Sequence, residues 1–480
     1  MRIKILFLSC FLLVAFVQAQ FDSTIQVQLG GKNYTMPELL SEYIQIPSVS
    51  GWEREAGEFL TRVARENGLH VTHMGQSNSN YNLAASIYPL TAGLPNIILL
   101  NHIDVVPVGD TTVWEYPPFS GFISDTEIWG RGAFDNKGIG IIHLFSVIEM
   151  ARRSVGCQLP YNITFLAVSC EETQCGGGAS FVAENYLDLL QPAVVIGEGP
   201  PALQGILKSQ PDTWIFGISV AHKRALWLRL DLIVESTRHG SVTPLCYANQ
   251  EMVEALSKLV QHRPKAIYTD LNTDVLRQLG SLEKGVLRTV LKHPRLFRIV
   301  LVPQLRKQPE LFALFTNTIT LTNVQSQTES INAIPSCVSA WLDCRLLPEA
   351  DQDQFLRDLR KILDNDAITI QVITDMPPLP PSELDNPFFE HMSAAILTHF
   401  PDAEVASLMV PYINDVGAFR SRGVPAYSVI PTAIDRSYLD HIHGENERIP
   451  KYMLWEGLKV FVDFLERCVV EDLSTIKVVP

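Results

Sequence analysis

Apolar and polar positions follow a strand-then-helix rhythm through the N-terminal part of the chain. From Glu53 to Asn67 the apolar residues recur at helical spacing and stop before Gly68, which predicts an amphipathic helix. Three runs, Asn96 to Leu100, Tyr161 to Val168 and Ala193 to Ile196, are nearly continuous in aliphatic and β-branched residues. That is the pattern of strands buried on both faces of a parallel sheet, and Gly138 to Ala151 reads as a crossover helix between them. Near Trp214 the rhythm changes. Ala221 to Val234 reads as strand, Gln250 to Gln261 as helix, Thr316 to Val324 and Val338 to Arg345 as strands, Asp353 to Leu363 as helix and Ile368 to Ile373 as strand. This β-α-β-β-α-β order predicts a separate α+β domain of ferredoxin-like type. The proline-rich Met376 to Pro381 reads as a connector. Helices at Asn386 to Phe400 and Lys451 to Cys468, with a strand at Ala426 to Ile430 between them, predict a return to the first domain. The expected division is 20–213 and 376–480 for that domain and 214–375 for the inserted one.

The chemistry lies at the ends of the buried runs. The first ends in Asn101-His102-Ile103-Asp104, the second in Glu171-Glu172 and the third in Glu198-Gly199. Successive parallel strands finish at one sheet edge, where open α/β sheets place their sites. Three strand ends thus deliver a histidine and several carboxylates to one crevice.

The N-terminus changes the counts. Arg2 and Lys4 precede an apolar run from Ile5 to Val17, broken only by Ser9, and the chain then turns polar. This predicts a signal peptide at 1–19 cut after Ala19, its apolar run being short of the ~20 residues of a membrane span. The expected location is secreted or periplasmic. Lipidation of Cys10 is a weaker reading, because the apolar run continues well past it. Cleavage removes one of the eight cysteines and leaves an odd number, so at least one thiol has no partner within the chain.

The chain has 480 residues, 46% of them hydrophobic, which allows about two or three domains and excludes a disordered or fibrous chain. Its formal charge of −14 argues against nucleic acid as a partner. Within that acidic background His262 to Phe315 holds ten Lys/Arg against four acids. Its Lys284 to Lys307 stretch interleaves cations with Val, Leu, Phe and Ile. Two readings stand: a helical hairpin decorating the second domain, or a surface making weak contact with a membrane or lipid.

Imidazole and carboxylate together suit Zn2+ and other first-row divalent ions. The candidate ligands are His102, Asp135, Glu172, Glu198 and His443, and two ions sharing one carboxylate would use all five. Packed without cations, these acids would repel one another. Asp104, two residues past His102 in an extended segment, lies on the same face and is placed to accept the second ring N–H of His102. Of the adjacent pair Glu171 and Glu172, one can bind metal while the other takes a proton from water.

These residues lie in motifs that resemble a known family. They are His102-Ile103-Asp104-Val105-Val106-Pro107, Trp114 with Pro118-Phe119, and Gly130-Arg131-Gly132-Ala133-Phe134-Asp135-Asn136-Lys137-Gly138. Cys170-Glu171-Glu172, Gly197-Glu198-Gly199 and His443-Gly444-Glu445-Asn446 come next, in order. The set resembles the zinc metallopeptidase family of aminoacylase, glutamate carboxypeptidase and succinyl-diaminopimelate desuccinylase, across residues 36 to 467. The nearest branch is similar to vacuolar carboxypeptidase S and the secreted N-fatty-acyl-amino-acid synthase/hydrolases. The resemblance implies a three-layer αβα zinc-exopeptidase domain with an inserted ferredoxin-like lid and dimerisation domain. It implies two Zn2+, with Co2+ or Mn2+ as substitutes: one held by His102 and Glu198, the other by Glu172 and His443, with Asp135 between. Glu171 would be the general base and Asp104 would orient His102. His239, in Arg238-His239-Gly240-Ser241, would polarise the scissile carbonyl, often across a homodimer. Asn332 and Arg345 would bind the substrate backbone and carboxylate. Cys170 and Cys175, flanking the glutamate pair, read as packing or a disulfide and not as ligands.

The expected function is hydrolysis of the amide bond of small peptides or N-acyl amino acids bearing a free carboxylate. The alternatives are a zinc aminopeptidase of the related fold and a non-catalytic carboxylate- or lipid-binding protein.

Overall fold

The computed structural model describes residues 25–77, 80–234, 239–326 and 330–475, with side chains described as far as residue 470. The leader expected at 1–19 and Arg238 lie outside the described residues. The chain forms two compact units, one of residues up to 220, 382–407 and from 414 on, the other of residues 221–381 and 408–413.

The first unit is built on an eight-stranded mixed sheet. Its strand order is Glu404–Val410, Ile215–His222, Ala426–Ser428, Pro192–Gly197, Asn96–His102, Asn162–Val168, Asn80–Ser86 and His70–Ser77. At the centre Asn96–His102 runs parallel to both Asn162–Val168 and Pro192–Gly197. Every residue of Asn96–His102 and Asn162–Val168 is buried, which is why both read as unbroken apolar runs. The parallel pattern stops at the flanks. Asn80–Ser86 and His70–Ser77 add as an antiparallel hairpin, and Ile215–His222 pairs antiparallel to Ala426–Ser428.

Alternate residues of the central strands serve opposite faces. Ile98, Leu100, Leu166, Val168 and Val195 pack with Val182, Ala183 and Phe419 of the helices on one side. The helix Lys137–Arg153 packs against Asn96–His102 from the other side and is itself backed by Lys451–Thr475. The amphipathic helix expected at 53–67 is observed as Arg54–Glu66 and buries Phe59, Leu60 and Val63.

The second unit holds a four-stranded antiparallel sheet in the order Thr318–Ser326, Cys337–Leu346, Arg224–Ile233, Thr369–Asp375. Helices Ala248–Gln261 and Gln352–Leu363 share a core with it that includes Leu228, Leu230, Leu256, Leu342 and Leu359. That is the ferredoxin-like arrangement. The stretch 262–315 folds into four short helices around a small core of its own, with Leu276, Leu301, Leu305 and Phe315 at its centre.

The domain limits differ from those read in the sequence at both junctions. The expected edge at 213 falls inside the first unit, because Ile215–His222 enters the large sheet through Ser219 opposite Ser428. The proline-rich 376–381 and the distant segment 408–413 group with the second unit. Among the described residues no helix is long and apolar enough to cross a membrane.

Candidate metal centre

Three parallel strands deliver the site residues. His102 closes the central strand Asn96–His102, Glu171 and Glu172 come after Asn162–Val168, and Glu198 comes after Pro192–Gly197. Gly199 permits the last of these: a Cβ there would collide with the Ser428 backbone of the neighbouring strand. Asn414 fixes the same turn by donating Nδ2 to the Glu198 carbonyl at 3.1 Å and to Ser428 Oγ at 2.7 Å.

The two oxygens of Asp135 face two histidines. Oδ1 lies 3.1 Å from His102 Nε2, and Oδ2 lies 3.0 Å from His443 Nε2. His102 Nε2 is also 3.3 Å from Glu198 Oε2, and His443 Nε2 is 3.1 Å from Glu172 Oε2. Two ligand clusters result, His102–Asp135–Glu198 and Asp135–Glu172–His443, with the ligand atoms of each within 4.8 Å of one another. Asp135 belongs to both. The structure therefore brings all five sequence-derived candidates together.

The donor set fits divalent cations. Burial pushes the Glu171 and Glu172 carboxyls above their ordinary range, and the neighbouring carboxylates push further. Burial, with Asp135 beside it, raises Glu198 to about 7. Glu172 Oε1 and Asp415 Oδ2 are buried without a hydrogen-bond partner among the described residues. A cation between such groups supplies the missing partner and offsets the repulsion. His443 is raised to about 10 by its contacts with Asp135 and Glu172.

Asp104 departs from its expected role. His102 Nδ1 donates to the main-chain carbonyl of Asp104 at 2.9 Å, while the nearer carboxylate oxygen stands 3.6 Å away. The ring is thus oriented chiefly by backbone. The Asp104 carboxylate instead accepts the N–H of Glu171 at 2.9 Å, the N–H of Glu172 at 3.1 Å and the hydroxyl of Ser50 at 2.7 Å. It fixes the turn that carries both glutamates. The same turn is closed by a Cys170–Cys175 disulfide, one of the two readings given to those cysteines. Cys170 and His443 both adopt left-handed φ, 55° and 61°, a conformation that non-glycine residues hold only when their surroundings impose it.

Sequence reasoning assigned no role to three further residues at the site, although Arg131 stands in the quoted Gly130–Gly138 motif. Glu447 is buried and accepts from Arg131 Nη1 at 2.7 Å, Gly132 N at 2.9 Å, Phe134 N at 2.9 Å and Asp135 N at 3.0 Å. Arg131 also reaches the His443 carbonyl through Nη2. Asp415 lines the same cleft as His102, Glu171 and Glu198, and burial raises it to about 7. The position of Glu447 after Gly444-Glu445-Asn446 and of Arg131 ahead of Asp135 was the available clue.

In the second unit His239 and Asn332 lie side by side. Asn332 Nδ2 is 3.3 Å from His239 Nε2, and Gly240 N donates to the Asn332 carbonyl at 2.7 Å. Ser241 Oγ lies 2.7 Å from His239 Nδ1. Arg345 is engaged by Asp343, to which it donates through Nε at 2.7 Å and Nη2 at 3.0 Å. That fork is already satisfied on one edge by a residue of its own strand.

The chain has counterparts among known proteins. Residues 98–467 match the model of peptidase family M20/M25/M40. The chain is 27% identical to the probable carboxypeptidase S-like 2 of Dictyostelium discoideum, over 80% of this chain and 73% of that protein. It is 26% identical to the N-fatty-acyl-amino acid synthase/hydrolase PM20D1 of Xenopus tropicalis, over 89% of this chain and 84% of that protein. The crystal structure of the M20 family metallo-carboxypeptidase Sso-CP2 from Sulfolobus solfataricus superposes with a TM-score of 0.67 at 20% identity, covering 90% of this chain and 98% of that one. The chain belongs to the peptidase family M20/M25/M40.

Proposed function

We propose that this protein is a secreted or periplasmic dinuclear zinc amidohydrolase that cleaves the amide bond of N-acyl amino acids or small peptides with a free carboxylate. The observation that carries this reading is Asp135, set between a His102–Glu198 pair and a His443–Glu172 pair. His102, Glu198 and Asp135 would hold one ion, and His443, Glu172 and Asp135 the other. When bound, such ions supply Lewis acidity toward water and toward a carbonyl.

The chain's own residues do the rest. Glu171 sits next to a candidate ligand yet belongs to neither cluster, and its half-buried carboxyl has the raised proton affinity a general base needs. It takes a proton from the attacking water as the O–C bond forms. It then returns that proton to the amide nitrogen as the C–N bond breaks, and the acid's remaining proton passes to the amine, leaving a carboxylate and an ammonium group. Asp104 holds Glu171 and Glu172 in register through their N–H groups. His239, with Asn332 beside it, would meet the developing oxyanion, in a homodimer if the lid works across two copies. Arg345 would bind the substrate carboxylate. The names of the relatives, a carboxypeptidase S-like protein and an N-fatty-acyl-amino acid synthase/hydrolase, favour this substrate class. The leader-like N-terminus and the Cys170–Cys175 disulfide favour an oxidising compartment.

The test is a turnover screen on metal-analysed protein. Its substrates are N-acyl amino acids, dipeptides and the same compounds with the carboxylate amidated. Hydrolysis of N-blocked substrates that is lost on amidation is expected. Activity confined to substrates with a free amine would replace this reading with an aminopeptidase, and metal-free or inert protein would leave a binding module.

A further inference from the structure

Between Lys284 and Lys307 the chain carries seven cations and no acid, in a protein whose net charge is −14. Amide hydrolysis at the metal centre uses none of them. Folding explains only part of the apolar residues interleaved with them. Leu301, Leu305 and Phe315 turn inward and form a small core with Val290, Leu291 and Phe297. Val286 and Ile299 are each 82% exposed and Leu296 is 76% exposed. The helix Gly285–Lys292 has no fully buried residue, Val290 and Leu291 being partly covered. Arg295 pairs with Asp270 at 2.7 Å, but Lys284, Arg288, Arg298 and Lys307 are exposed and make no ion pair among the described residues. Exposed isoleucine and leucine among unpaired cations are costly to keep in water and serve no internal contact.

We propose that this face docks on an anionic phospholipid surface. The complementarity is one of charge and depth together. Cations without acidic partners are drawn to lipid phosphates and carboxylates, and Val286, Leu296 and Ile299 stand where they enter the headgroup boundary. The helices of eight residues are too short to span a bilayer, so the segment lies on the surface. Nucleic acid offers the charge but no apolar layer for the three exposed side chains. The inference is independent of the hydrolytic reading.

Co-sedimentation of the full chain with phosphatidylcholine vesicles, with and without phosphatidylserine, tests it. Binding is expected only with phosphatidylserine and is expected to weaken in high salt. The triple change Arg288→Glu, Lys292→Glu, Arg298→Glu should weaken it more than about tenfold. Leu296→Ser with Ile299→Ser should weaken it at every salt concentration, and both variants should keep the wild-type unfolding temperature. Equal binding to both vesicle types, or a charge-reversed protein that binds like wild type, overturns the proposal. So does a sedimentation-velocity result in which, without vesicles, these changes break a self-associated form: the face would then belong to a second copy.

Discussion

The Arg131 guanidinium donates to the Glu447 carboxylate at 2.7 Å in the interior, across 316 residues of sequence. Glu447 also takes the N–H groups of Gly132, Phe134 and Asp135, while Arg131 reaches the carbonyl of His443. One ion pair therefore ties the loop of Asp135 to the loop of His443. Glu447→Gln puts an NH2 group where only donors point and leaves Arg131 buried without its counter-charge. Breaking a buried pair of this kind costs about 3–5 kcal/mol. The variant should unfold at a lower temperature and purify with less metal; calorimetry and elemental analysis check both, and wild-type values in each would refute the clamp.

Glu171→Gln separates the proton shuttle from the ligands. The N–H of residue 171 still donates to Asp104, and neither ligand cluster loses an atom. Metal content and stability should therefore stay near wild type, while turnover falls about 10²–10⁴-fold. Near-normal turnover by a metal-loaded variant would remove Glu171 from the base role.

Much of this site was legible in the sequence because three of the five candidate ligands sit next to a strong local pattern, while Asp135 and His443 stand in recognisable motifs. His102, Glu172 and Glu198 stand at the ends of continuous apolar runs, and such runs report burial on both faces of a strand directly. Asp104 was legible as a site residue but not in its contacts: spacing places it beside His102, while only the fold turns its carboxylate toward the glutamate turn. Glu447 was missed although it directly follows the Gly444-Glu445-Asn446 motif, since its partners lie more than three hundred residues away and a lone glutamate after a loop looks solvated. The edge of the first unit was misplaced for a similar reason. Ile215–His222 resembles the strand next in sequence, and only its pairing with Ala426–Ser428 assigns it to the large sheet.

Metal removal should destabilise the first unit. Glu171, Glu172, Glu198 and Asp415 lie half-buried in one cleft and raise one another's proton affinity, so ions between them relieve repulsion that the folded state otherwise bears. A ligand bound only by the native state adds to its stability by mass action. A chelator should lower the unfolding temperature and Zn2+ should restore it. An unfolding temperature indifferent to chelator, in protein shown to have held metal, would contradict this.

In the second unit Lys223 is fully buried, and its Nζ donates to the neutral hydroxyl of Thr318 at 3.0 Å. Burial lowers it from an ordinary 10.5 to about 7, and the Arg345 charge adds to the effect while Asp343 opposes it. Between those two pH values the unfolded chain binds a proton that the folded chain has shed. The stability contributed by this group therefore rises with pH across that window, and its penalty is complete below about 7. Lys223→Met keeps the length of the side chain and removes the charge. The variant should be more stable than wild type below about 7, by an amount on the order of several kcal/mol, and the difference should close as pH approaches 10.5. Thermal unfolding of both proteins across that range measures it. A difference that does not change with pH, or a variant less stable than wild type at neutral pH, would mean that Lys223 is held charged in the fold.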